Sequence, residues 1–177
     1  MKLLLALTLF AVLQRPGEPE IRIPDLERRV HDLINKERTK KKATALRFDE
    51  QLSRIARAHS ADMAKRKFFS HVNPSGKNAT ERGKLAGLSC RKTYAGYFTE
   101  GLAENIYQGN LYSRIRNTGN KRSYDWYSAE EIAEDAVDGW MDSSGHRRNI
   151  LDKTYERTGI GIAIDSEDRV FFTQVFC

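Results

Sequence analysis

From Gly159 to Ile164 the chain reads G-I-G-I-A-I, so isoleucines alternate with glycines and an alanine. Period-two alternation marks a strand whose two faces differ. One face is branched and apolar. The other has almost no side chains, which lets another element approach the backbone closely. Asp165 to Arg169 supplies a turn, and V-F-F-T-Q-V-F (170–176) reads as the return strand, ending at Cys177.

Upstream, the apolar spacing is helical. Leu26, Val30, Leu33 and Ile34 predict a helix capped by Asp25, with Glu27, Arg28 and Glu37 on its outer face. Asn35 and Arg38, near its end, are read as hydrogen-bonding to loop carbonyls. A second helix follows Asp49, with Leu52, Ile55, Ala56, His59 and Met63 on one face. His59 is read as a satisfied core histidine. Asn73, Pro74, Ser75 and Gly76 then make a turn, leaving His71 at a helix-to-loop edge. A functional role and a helix-terminal role are both open for His71. A short helix begins near Thr80, and residues 91–100 read as a strand or an extended loop. Glu104 lies among Leu102, Ala103 and Ile106, and a carboxylate in apolar company needs a partner. Residues 108–127 read as a polar insertion whose Tyr124, Trp126 and Tyr127 cover the core or line a groove. Ser128 and Glu131 fit a capping box for a helix carrying Ile132, Ala133, Ala136, Val137 and Trp140 on one stripe. Asp142 to Gly145 are expected to end it, with His146 emerging just after and Asn149 to Leu151 as a packed turn.

A chain of 177 residues with 31% charged and 40% hydrophobic residues suits one soluble domain. Its net charge of +6 favours acidic surfaces such as wall polymers or anionic lipid. The basic residues are scattered and not interleaved with aromatics, which argues against a specific nucleic-acid face. Lys2 precedes an apolar run, so residues 1–13 read as a signal peptide or N-terminal anchor. Residues 14–24 hold three of the four prolines and read as a linker. The domain is expected over 25–177. In an oxidising space Cys90 and Cys177 can bridge; the other reading is two buried free thiols.

In this order, a set of short pieces resembles the CAP superfamily of cysteine-rich secretory, venom-allergen and pathogenesis-related proteins. They are H-D-L-I-N-K-E-R (31–38), A-R-A-H-S-A-D-M-A (56–64), F-F-S-H (68–71), A-E-N-I (103–106), G-W-M-D-S-S-G-H-R-R-N-I-L (139–151), G-I-G (159–161) and F-T-Q-V-F (172–176). The S-G-H-R-R-N-I-L form is similar to the bacterial branch. The resemblance implies an α+β fold: a three-layer α-β-α sandwich with a central, mainly antiparallel sheet and a cleft over it.

In many members two histidines and two acids line that cleft, and some hold zinc or another divalent cation. His71, Glu104 and His146 match three of these positions. The fourth acidic position falls on Ser143, with Asp142 one residue early. Spacing alone would not bring His71 and His146 together; the resemblance does. It implies a secreted or envelope-associated, monomeric binding module for a lipid or sterol, a cell-wall polymer or a protein partner. The alternative is a metal-dependent, peptidase-like hydrolase using His71, Glu104 and His146. That alternative lacks an HExxH helix, and no G-x-S-x-G elbow makes Ser143 or Ser144 a nucleophile.

Overall fold

The computed structural model describes residues 15–94 and 96–177. The expected leader at 1–13 lies outside them. In chain order the elements are α1 (Ile23–Lys40), β1 (Arg47–Phe48), α2 (Glu50–Arg66), α3 (Ala79–Leu85), β2 (Arg91–Tyr94), β3 (Tyr97–Glu100) and β4 (Ala103–Asn110). Then come β5 (Tyr112–Thr118), β6 (Lys121–Trp126), α4 (Ala129–Asp142), α5 (Ser144–Leu151), β7 (Arg157–Ile164) and β8 (Arg169–Phe176). The central sheet has the order β1-β7-β8-β4, and only the β1–β7 pair is parallel.

Strand alternation divides the core between the two faces. Ile160, Ile162, Val170, Phe172 and Phe176 pack with Val30, Ile34, Ala133, Val137 and Trp140 from α1 and α4. Phe171 and Val175 face the other way, onto Met63 and onto Leu52, Ile55 and Ala56 of α2. The resulting layers are helix, sheet, helix. The glycine face of β7 is where α2 lies. A Cβ on Gly159 would stand 2.1 Å from the Ser53 backbone nitrogen, and one on Gly161 would stand 2.0 Å from that of Arg57. At that spacing small polar side chains reach the strand: Ser60 Oγ donates to the Gly161 carbonyl at 2.8 Å, and Ile160 N–H donates to Ser53 Oγ at 3.2 Å.

Helix ends follow local chemistry. Asp49 accepts from the Gln51 and Leu52 amides at 2.9 and 3.0 Å. Ser128 and Glu131 form the expected capping box, and Asn78 and Glu81 form a second one for α3. Arg38 donates to the carbonyls of Thr44, Ile150 and Asp152, which meet its Nε and Nη1, while its buried Nη2 has no partner among the described residues. Cys90 and Cys177 are bonded, tying the end of β8 to the segment before β2. Closing a separation of 87 residues stabilises by about 4–5 kcal/mol in the chain-entropy account.

The structure corrects three local expectations. Helix α1 starts at Ile23 with Pro24 in its first turn, where a missing N–H costs nothing, so Asp25 is not its cap. Glu27 is not on an outer face; it is 1% exposed and pairs with Arg57 at 2.6 Å. Residues 108–127 are not an irregular insertion: they hold the end of β4 and the β5–β6 hairpin, turned by Gly119 at φ +60° and Asn120. Trp126 and Tyr127 pack against the main core. Tyr124 and Trp126 stack at 4.6 Å beneath Arg15, whose guanidinium also binds Asp168 at 2.7 and 2.5 Å.

Because the Ala56–Arg57 backbone cannot retreat without moving α2, Gly161→Ala is expected to destabilise the protein by about 3 kcal/mol or more. A lowered urea midpoint with an unchanged m-value is the expected result.

Candidate functional site

Strand β4 closes the sheet order, and among the described residues no strand pairs with its outer edge. An open edge exposes unpaired backbone groups and is ordinarily covered. Here α5 covers it. Asn149 Nδ2 donates to the Glu104 carbonyl at 3.3 Å and to Asn105 Oδ1 at 2.9 Å, and Asn105 Nδ2 donates to the His146 carbonyl at 3.2 Å. His146 is thereby fixed at the sheet edge. It lies in the first turn of α5, not in a loop after a helix end, because Ser143 takes one extended step (φ −81°, ψ 120°) and the chain resumes helix at once.

His71 reaches the same edge from the other helical layer. The loop after α2 is held by His59 Nε2, which donates to the Ser70 carbonyl at 3.0 Å. Arg82 Nη1 donates to the carbonyls of His71 and Lys77 at 2.9 and 2.8 Å. His71 Nδ1 then stands 3.0 Å from Glu104 Oε1, and the His71 and His146 rings are 6.2 Å apart. The three side chains named from sequence therefore do converge. Glu104 is only 4% exposed at its side chain, whereas His71 is 51% exposed.

Two members of the cluster were not expected there. Arg82 Nη2 donates to Glu104 Oε2, and His59 Nε2 lies 3.9 Å from Oε1. Both Glu104 oxygens are therefore engaged. The available signal was Glu104's own need for a partner, together with the Arg82-Gly83 pair. A Cβ at Gly83 would stand 2.6 Å from Leu102 Cδ1, so α3 must seat directly against the entry to β4. Asp142 ends α4 on an exposed side, and among the described residues no hydrogen bond or ion pair joins it to His71, Glu104 or His146.

A cavity of about 410 Å³ opens beside the cluster, lined by His71, Asn78, Ala79, Thr80, Leu102 and Glu104. Burial holds the His146 imidazole below its ordinary pKa, and the neighbouring His71 lowers it further. Burial also lowers His59, with Arg82 adding to the effect against an opposing pull from Glu104.

A resident divalent cation does not fit this donor set. A guanidinium already sits on the one buried carboxylate, and a second cation there would meet its charge. Among the described residues no group of three His, Cys, Asp or Glu side chains is arranged to hold a metal ion.

Residues 31–176 match the cysteine-rich secretory protein family, CAP. The chain belongs to the CAP family. The Bacillus subtilis protein YkwD is 32% identical over 150 residues, spanning 85% of this chain and 46% of that protein. The Bacillus subtilis membrane protein YlbC is 27% identical, over 85% of this chain and 34% of its own length. This CAP chain thus spans less than half the length of these curated relatives. Among solved structures, an extracellular protein with an SCP domain from Bacillus anthracis superposes with a TM-score of 0.60 at 23% identity, covering 87% of this chain and 40% of that one. An outer surface protein of Borrelia burgdorferi superposes with a TM-score of 0.65 at 13% identity, covering 88% and 94%. These structures share the α-β-α fold expected of a CAP domain.

The lowered pKa values have a definite sign. The folded CAP domain binds fewer protons at His59 and His146 than the unfolded chain does. Their contribution is therefore complete above the unfolded histidine value of about 6.5 and is lost as pH falls through the folded values. Urea midpoints are expected to fall between neutral and mildly acidic pH. The His59→Gln variant should be less stable at neutral pH and show a shallower decline.

Proposed function

We propose that the chain is an exported, non-catalytic binding module whose ligand enters the cavity at His71 and Glu104, beside His146. The observation that carries this reading is the double engagement of Glu104. With one oxygen on His71 and the other on Arg82, the carboxylate is poorly placed to serve as a general base or to bind a metal. His71 and the Leu102–Thr80 wall leave a hydrogen-bonding yet partly apolar opening, suited to a ligand held by contacts rather than turned over. A sterol or lipid, a cell-wall polymer and a protein segment are the ligand classes in view.

Export is supported by the apolar run after Lys2 and by the Cys90–Cys177 bridge, which persists in oxidising compartments. The similarity to a protein described as extracellular points the same way. No described helix is long and apolar enough to cross a membrane.

The reading is tested against a zinc-dependent hydrolase by calorimetric titration with zinc, followed by casein and ester hydrolysis assays. The expected result is no stoichiometric uptake at micromolar zinc and no turnover above that of Glu104→Gln. Tight uptake lost in His146→Ala, with hydrolysis that needs Glu104, would replace the binding reading with the enzymatic one.

A further inference from the structure

A second cavity is larger than the one beside His71 and Glu104. It is an open groove of about 690 Å³ along the outer face of α2, bounded by α3 and the loop before it. Its apolar lining comes from Ile55, Ala58, Ala61, Leu85 and Ala86, and Leu85 is 72% exposed. From Gln51 to Lys65 the helix face runs for roughly 21 Å at 1.5 Å per residue, the length of about six extended residues.

Its charge is one-sided. Arg54, Lys65, Lys77 and Arg82 line it, and the first three have no ion-pair partner among the described residues. The one acid in the lining, Asp62, is taken by Arg66. Two residues that line the groove each carry a buried atom without a partner. Arg82, 10% exposed at its side chain, has an Nε without an acceptor. His59, fully buried at its side chain, has an Nδ1 without a partner, while its Nε2 donates to Ser70. Unmet polar atoms in a buried position are costly unless something satisfies them.

We propose that this groove docks an acidic peptide segment, bearing apolar side chains, from a partner protein. Carboxylates answer the uncompensated cations Arg54, Lys65 and Lys77. Apolar side chains cover Ile55, Ala58 and Leu85. The length and openness of the groove suit an extended chain, and alternate side chains of such a chain point to one side. This site adjoins the His71–His146 opening, with Arg82 and His59 shared between them, and does not rest on the function proposed for that cleft.

The test is selection from a displayed library of random peptides about twice the groove's length, with the intact chain as bait. The counter-bait is the surface variant Arg54→Glu/Lys77→Glu/Leu85→Ser, checked for fold by circular dichroism. Acidic peptides with spaced apolar residues should be enriched on the wild type only. A synthesised winner should bind the triple variant about tenfold or more weakly and bind His146→Ala as it binds the wild type. The proposal is overturned if no peptide is enriched, if the winners are neutral or basic, if the triple variant binds equally well, or if sodium oleate occupies the groove while peptides do not. Loss of binding in His146→Ala alone would also overturn it, by placing the peptide in the cleft.

Discussion

A carboxylate buried at the rim of a sheet has to be neutralised where it stands, and Glu104 is such a group. Its side chain is 4% exposed, and its neighbours on β4 are Ala103 and Asn105. Leaving it charged and alone would cost several kcal/mol. The surrounding structure is arranged so that this does not happen. Helix α3 seats on Leu102 through Gly83 and presents Arg82. The loop after α2 brings His71 to the other oxygen. The same guanidinium holds the His71 and Lys77 carbonyls, so the loop and the ion pair support each other.

Close packing in the layers makes that arrangement possible. Because β7 offers glycine backbone to α2, the helix lies near enough to the sheet for Ser60 to bond to the strand and for His59 to come within 3.9 Å of Glu104. A bulkier strand face would lift α2 and carry His59 and the Ser70–His71 loop away from β4. On the opposite layer, Trp140 Nε1 donates to the Ile106 carbonyl at 3.0 Å and anchors α4 against the same strand. The one-residue break at Ser143 then turns α5 across the open edge. The cleft is thus where two helical layers meet around one strand, which is why its residues are so far apart in the chain.

The layers were legible because they rest on periodicity: alternation in 159–164 and 170–176, and helical stripes at 26–34, 52–63 and 132–140. The convergence of His71, Glu104 and His146 came from family resemblance, since no local pattern encodes a meeting across a sheet edge. Arg82 and Asn149 escaped notice for the same reason. Arg82 falls in a short helix and Asn149 in a segment that reads as a packed turn, and neither pattern names the edge strand it serves. Glu27 misled because an acidic residue beside Arg28 and Arg29 reads as solvated, and its partner Arg57 lies on another helix. The β5–β6 hairpin was hidden by its polarity: its strands are mostly exposed, and the apolar alternation that marks a half-buried strand is absent.

Arg82 is the cation of the Glu104 site. A double-mutant cycle on stability, using Arg82→Met, Glu104→Gln and the pair, measures it directly. Each single change should destabilise the fold, and the cycle should return a coupling energy of about 2–3 kcal/mol. A coupling near zero, with Glu104→Gln as stable as the parent, would show that the carboxylate does not depend on Arg82 and would contradict the account.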